Sequence, residues 1–428
     1  MRIYDTYKDS GISWLGQIPS HWDVKRLGSY FTERRQKVSD KDYEPLSVTK
    51  LGIFPQLENV AKTNDGDNRK LVRKGDFVIN SRSDRKGSSG VSELDGSVSL
   101  INIVLEPHQS IIPAFCNFLL KSHGFIEEYY RIGRGIVADL WTTRYQEMKF
   151  MPLAVPPLAE QEAIVAYLDS ATAEIDKAIA SQQRMVELLQ ERKQIIINQA
   201  VTQGLNPDAP MKPTNIDWLP QIPTHWDIKK LKHVSSLFGR IGFRGYSTSD
   251  LTDMEHGAIT LSPSNMIDGK MNFDNCSFLS WDKYFESPEI MVKEGDILFV
   301  KTGSTYGKSA IVETLPKEST INPQILIITN ISIHSKYLYY LLRTPIITNQ
   351  VETIVIGGTI PTISQTKIGN MSIIIPPISE QKEIVNYIES AVRPIDEAIS
   401  CCEQKIALLT ERKQILINDV VTGKIKVS

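Results

Sequence analysis

The sequence predicts two mixed α/β (α+β) domains in tandem, each followed by a long α-helix. Three observations carry that expectation: an internal repeat, short β-rich runs inside each copy, and a heptad-like apolar stripe at the end of each copy. At 428 residues the chain exceeds what one compact core usually sustains, so two or more domains are expected on size alone.

The chain repeats itself internally, and such self-similarity exposes architecture ahead of any local element. "IPSHWDVKRL" (Ile18 to Leu27) returns as "IPTHWDIKKL" (Ile222 to Leu231), and "PPLAEQEAIVAYLDS" (Pro156 to Ser170) as "PPISEQKEIVNYIES" (Pro376 to Ser390). "ERKQIIINQAVT" (Glu191 to Thr202) matches "ERKQILINDVVT" (Glu411 to Thr422). His21 and His225 lie 204 positions apart and Glu160 and Glu380 lie 220 apart, so the second copy gains sixteen residues in between. The two copies share their edges and differ in the middle, apart from islands such as "KGDFVINSR" (Lys74 to Arg82) against "EGDILFVKTG" (Glu294 to Gly303).

In the middles, the runs Asp76 to Asn80, Ser97 to Val104, Asp296 to Val300 and Met371 to Ile375 are β-rich and bounded by Gly, Pro and Asp. Helical periodicity follows at about Pro113 to Arg131 and Ser335 to Gln350. After each Pro-Pro pair the period changes. Ile164, Leu168, Ile175, Met185, Leu189 and Ile196, with Ala171 and Ala178, form one stripe from Leu158 to about Ala200. Ile384, Ile388, Ala391, Ile395, Ala398, Leu409 and Leu416 repeat it. Some forty helical residues make a rod of roughly 60 Å. Pro394 lies inside the second stripe and predicts a kink, since proline removes a backbone donor and crowds the preceding turn. "QGLNPDAPMKP" supplies a helix stop and a stiff linker. The expected boundaries are therefore 1–157, 158–203, 204–213 (linker), 214–377 and 378–428.

Composition excludes several classes. The N-terminus lacks an apolar signal core and the greasiest stretches, such as Ile325 to Thr329, are too short to span a bilayer, so a cytoplasmic protein with no membrane partner is expected. Cys116, Cys276, Cys401 and Cys402 have no CxxC spacing, so neither a disulfide framework nor a zinc site is implied. The net charge of −2 hides an uneven distribution. Between Lys62 and Lys86 eight basic residues face four acids, whereas the helix from Leu158 to Gln199 has four against seven and that from Ile378 to Thr422 five against eight. Local positive charge, rather than the chain average, governs phosphate binding.

Enzyme motifs fail on inspection. "GSTYGKS" (Gly303 to Ser309) has three residues between its glycines where a phosphate-binding loop needs four. "NPQI" (Asn322 to Ile325) lacks the second proline and the aromatic of an amino-methyltransferase signature. The histidines are scattered, and no nucleophile, metal or paired-carboxylate constellation emerges. No catalytic, metal or cofactor site is therefore expected. The Ile-Pro-x-His-Trp-Asp element reads as packing, with a proline-fixed start, a large aromatic anchor and a basic edge in Lys25, Arg26, Lys229 and Lys230.

Two apolar rods can pair parallel, with both domains at one end, or antiparallel, with the domains at opposite ends about a pseudo-twofold axis. Separated, partly basic domains with different loops suit a long, anionic, nearly twofold partner, and duplex DNA with its repeating grooves fits that description. The candidate contacts come from side-chain chemistry. "NSRSDRKG" offers Arg82, Arg85 and Lys86, the matching "KTGSTYGK" offers Lys301, Ser304, Thr305, Tyr306 and Lys308, and "GRIGFRGY" offers Arg240 and Arg244. Arginine suits guanine edges, Ser and Thr several bases, and lysine phosphate.

The doubled "WLGQIPSHWDVKRL"/"WLPQIPTHWDIKKL", the Gly75-Asp76 and Gly295-Asp296 islands and the doubled "PPLAEQ"/"PPISEQ" leading into helices that carry "ERKQ" resemble the specificity subunits (HsdS family) of type I restriction-modification systems over almost the whole chain. The resemblance implies two target-recognition domains, helical repeats packed as an antiparallel coiled coil that acts as a spacer, and no catalytic site in this chain. It implies recognition of a bipartite, asymmetric double-stranded DNA site. It also implies partners: methyltransferase subunits, two of them, using S-adenosylmethionine, and restriction/translocase subunits using ATP and magnesium. The rival expectations are a coiled-coil protein adaptor without sequence-specific DNA recognition, and an unrecognised nuclease or methyltransferase.

Overall fold

The computed structural model describes residues 3–57, 66–135, 141–216, 218–356 and 360–427. The chain forms two compact units, Met1–Arg184 with Cys402–Ser428, and Met185–Cys401. The division cuts both long helices in mid-course, so each unit joins one mixed domain to half of each helix.

In the first unit a four-stranded sheet has the order Ser89–Val91, Phe77–Asn80, Asn102–Pro107, Phe31–Glu33, all antiparallel. Alternation along these strands sends side chains to opposite faces. Phe77, Ile79, Ile103 and Leu105 pack with Phe115, Leu119, Phe125 and Tyr129 from the helices Pro113–Leu120 and His123–Arg131. Val78 and Val104 pack on the other face with Leu46, Val72 and Val98. The second unit repeats the order in Ser309–Ile311, Ile297–Val300, Ile325–Thr329, Ser236–Gly239 and extends it past Ser309–Ile311 with Lys270–Met271 and Met266–Ile267. Its alternation is the same: Ile297, Phe299, Leu326 and Ile328 face the helices, while Leu298, Val300, Ile325 and Ile327 fill a separate core.

The repeated edges close each domain. Asp23–Arg26 of the first motif pairs with Pro152–Val155, the strand before the Pro-Pro step, and Asp227–Lys230 pairs with Ser372–Ile375. The sixteen extra residues lie before the Gly-Asp islands, because Gly75 and Gly295 are already 220 apart. There the second unit builds a different accessory sheet, Leu251–Thr252, Ser277–Ser280, Gly257–Leu261, Ser319–Ile321, whose last pair is parallel. The expected linker is partly strand, since Met211–Ile216 pairs with Leu219–Pro223.

Several expected boundaries change. The run Ser97 to Val104 is two strands, Gly96–Ser99 and Asn102–Pro107, in different sheets; the apolar Leu100 and Ile101 sit exposed at the crossing and disguise it. Each single helix expected late in a domain is a pair. Ser122 caps His123–Arg131 by accepting from the Phe125 amide, and Pro345 opens Pro345–Ile354 after Ser335–Leu342.

The central helix spans Leu158–Gln203 and the distal helix Ile378–Val421, the latter unbroken through Pro394. Within the first unit Ile164 and Leu168 share a core with Val420 and Val421, and Lys413 pairs with Asp176 at 2.6 Å. Within the second, Ile197 and Val201 share a core with Ile384 and Ile388, and Lys193 pairs with Asp396 at 2.6 Å. In both, the halves run antiparallel, and the two ion pairs are repeat equivalents. Met185, expected on the buried stripe, is 48% exposed, while Val186 is half-buried. A helix of 3.6 residues per turn drifts by about 20° per heptad, which turns position 185 outward. No described helix is long and apolar enough to cross a membrane.

Candidate nucleic-acid interface

The frame of each domain is fixed by the doubled motifs. Trp22 and Trp226 are fully buried, and each donates its indole N–H to a carboxylate at the start of a long helix: Trp22 to Glu160 at 3.1 Å, Trp226 to Glu380 at 3.0 Å. The same carboxylates meet His21 Nε2 at 2.7 Å and His225 Nε2 at 2.8 Å. The neighbouring glutamines reach the other way. Gln161 Oε1 accepts from the Ile112 amide and Gln381 Oε1 from the His334 amide, both at 2.8 Å, holding the residue just before the domain's helix pair. Lys8 and Lys212 donate to the carbonyls of Trp22 and Trp226. The Trp-Asp and Glu-Gln repeats are thus two sides of one joint, and the expectation that the first is packing agrees with this placement.

The Gly-Asp islands are turns. Asp76 Oδ2 accepts from the Arg73 amide at 2.8 Å and Asp296 Oδ2 from the Lys293 amide at 2.7 Å. Arg34 Nε lies 2.7 Å from Asp76. Asp296 has no such cation among the described residues, and burial pushes its carboxyl above the ordinary range.

Beyond each turn a strand runs into a loop of equal length, 81–87 and 301–307, closed at repeat-equivalent positions: Asn80 N donates to Ser88 O at 2.9 Å and Val300 N to Lys308 O at 2.8 Å. Gly87 and Gly307 end these loops at φ +79° and +83°, a conformation that disfavours any side chain. In the first loop Arg82, Arg85 and Lys86 are exposed. Arg85 lies 3.6 Å from Asp84, and Lys86 pairs with Glu127 at 2.6 Å and sits over the Tyr130 ring. In the second, Ser304 and Thr305 are exposed, and Tyr306 and Lys308 are half-buried, with Tyr306 against the helix-facing core. Lys301 is half-buried over the backbone of Gly239, and burial lowers its pKa. The amides of Gly303, Tyr306, Gly307 and Lys308 are all bonded to this chain's own carbonyls, so the glycine-rich stretch has no free amide cradle at those positions.

Arg240 and Arg244 are placed differently from these loops. Arg240 is 6% exposed and donates to Ile321 O and Thr320 Oγ1, with burial lowering its pKa, and Arg244 pairs with Glu289 at 3.1 Å. Both fasten the accessory region. Much of the basic run before Lys86 is also spent internally: Arg69 is buried on Ser97, Lys70 donates to Asn102 O and Glu33, and Arg73 pairs with Asp95. Lys62 and Asp65 lie outside the described residues.

A second segment lies against each loop, and sequence reasoning missed it. In the first unit Arg82 faces Thr142 across an antiparallel bridge, and Thr142 in turn faces Arg134. In the second, Thr302 faces Thr362, which faces Ile356. Exposed Trp141 and Arg144 flank the first segment. The only sequence signal was register, since Thr142 and Thr362 are 220 apart in otherwise unlike surroundings.

Residues 282–406 match the family model "Type I restriction modification DNA specificity domain". Over 99% of this chain and 98% of that protein, the sequence is 25% identical to the type I restriction enzyme MjaVIII specificity subunit of Methanocaldococcus jannaschii. It is 22% identical to the EcoKI specificity subunit of Escherichia coli strain K12 over 75% of this chain and 68% of that one. A solved chain from work on complex assembly and conformational transition of the type I R-M system shares the fold with a TM-score of 0.67 at 16% identity, covering 95% of this chain and 99% of that chain. With a match to the specificity domain in its second half, a relative matched from end to end and a doubled frame that explains the repeats, the chain is similar over nearly its whole length to the specificity subunits of type I restriction-modification systems.

Proposed function

We propose that this chain is the non-catalytic DNA-recognition subunit of a type I complex. Each domain reads one half of a bipartite, asymmetric double-stranded site, and the paired helices set the spacing. The observation that carries the reading is a common frame holding unlike loops: the Trp–Glu joint and loop length are the same in both units, while the exposed residues are Arg82, Asp84, Arg85 and Lys86 in one and Ser304 and Thr305 in the other. Lys301, with a charge made costly by burial and no carboxylate in ion-pair range among the described residues, suits a phosphate.

The partners follow from the helices' outer faces. Tyr167 and Tyr387, Leu188 and Leu408, and Ile195 and Ile415 are exposed at repeat-equivalent positions. Matched apolar faces suit two copies of one partner, the methyltransferase subunit. S-adenosylmethionine, ATP and magnesium then belong to the methyltransferase and the restriction/translocase subunits.

Mobility shift of labelled duplexes by this chain, with and without its methyltransferase subunits, tests the reading. The complete complex is expected to prefer one bipartite sequence over a scrambled duplex by about 10³-fold or more. Equal affinity for both would sink it.

A further inference from the structure

The two cross-strand rows beside the loops carry a more specific assignment, which rests on the DNA-recognition reading. In the first unit the row is Arg82–Thr142–Arg134, and in the second Thr302–Thr362–Ile356. The hydrogen bonding is the same in both. Arg134 and Thr142 exchange amide and carbonyl bonds of 3.2 and 3.0 Å, as Ile356 and Thr362 do at 3.0 and 2.9 Å. The other junction is framed by Ser83 N to Trp141 O and Thr143 N to Ser81 O, both 3.0 Å, and by Gly303 N to Pro361 O at 3.0 Å and Ile363 N to Lys301 O at 2.8 Å.

Residues directly opposite on antiparallel strands project to the same face, so each row presents three side chains together. With one closely spaced and one widely spaced pair, a row measures about 10 Å, the rise of about three base pairs. The backbone is held in common and the chemistry is not. Arg82 and Arg134 are exposed and meet no carboxylate among the described residues, whereas Arg34, Arg35, Arg73 and Arg131 of the same unit are all ion-paired. In the other row Thr362 is exposed and Ile356 is 60% exposed, an apolar side chain with no core to join.

We propose that these rows are the base-reading elements of the two domains. The Arg–Thr–Arg row takes a guanine-containing half-site through forked contacts to O6 and N7. The Thr–Thr–Ile row takes thymine, through its 5-methyl group. The asymmetry of the site then originates at three matched positions on one scaffold.

The test uses the full chain assembled with its methyltransferase subunits and the wild-type motif read from methylated adenines. Arg82→Lys with Arg134→Lys keeps both charges and removes the fork. Guanine preference is expected to relax in one half-site, the other half-site to stay unchanged, and the salt dependence of binding to be retained. With unmodified protein, 7-deazaguanine in that half-site is expected to weaken binding about tenfold, and deoxyuridine for thymine in the other about three- to fivefold. A motif untouched by the lysine pair, or indifference to both modified bases, overturns the assignment of the rows. A wild-type complex with no sequence preference would instead overturn the DNA-recognition reading beneath it.

Discussion

Glu160 and Glu380 hold together pieces that are far apart in the chain. Their partners His21 and His225 are 139 and 155 residues away. An indole N–H buried without an acceptor costs about 1–3 kcal/mol, so Glu380→Ala is expected to destabilise the second unit by about that amount, while Glu380→Gln keeps an acceptor and loses less. Urea unfolding followed by tryptophan fluorescence measures both, and equal stability of the alanine variant would refute the joint. Sequence reasoning found both halves of this joint as repeats without pairing them, because a repeat says which residues are equivalent and nothing about which touch. It named Arg82 from its loop but missed Arg134 and Thr142 for the same reason. Arg240, in a basic run, looked available, yet its guanidinium is spent on Ile321 and Thr320, a placement that only tertiary packing decides.

Among the elements, the long helices were legible because their period persists for more than forty residues and each begins after a Pro-Pro step. Their inward face was less so. The heptad template assumes 3.5 residues per turn, and the accumulated drift exposes Met185. Pro394 is exposed on the distal helix, where proline has no amide to donate to the carbonyl four residues earlier and the helix continues. Restoring that bond with Pro394→Ala is expected to stabilise the second unit by up to about 3 kcal/mol, read as a higher urea midpoint. No gain would mean that the turn is already relaxed around the ring. The ion pairs Lys193–Asp396 and Lys413–Asp176 are partly exposed and contribute about 0.2–1 kcal/mol each, enough to favour register and too little to create the pairing. The apolar residues buried between the halves supply most of the association.

For the whole molecule, the proposed spacing role makes a metric prediction. Inserting four residues near exposed Ser181 lengthens the central helix by about 6 Å while turning it by little more than one turn. The distance between half-sites, read from the methylated adenines of cells expressing the complex, is expected to grow by about two base pairs at ~3.4 Å each. An unchanged spacing would sink the ruler. The length of the helices was visible in the sequence; the antiparallel choice came from the family resemblance and not from the stripe, because an apolar stripe pairs equally well in either direction until the flanking domains, with Ile164 and Val421 in one core and Ile197 and Ile384 in the other, fix which ends meet.

The sequence by itself determined the duplication, the two mixed domains, the two long helices and the family resemblance, since these depend on local period and on residues that recur at fixed offsets. Only the tertiary structure decided which repeated pieces join, as at Trp22 and Glu160, and which three side chains lie abreast in each domain. The physical reason is that a base-reading row is a cross-strand property: Arg82, Thr142 and Arg134 become neighbours through backbone hydrogen bonds between distant segments, and no periodicity along the chain records them.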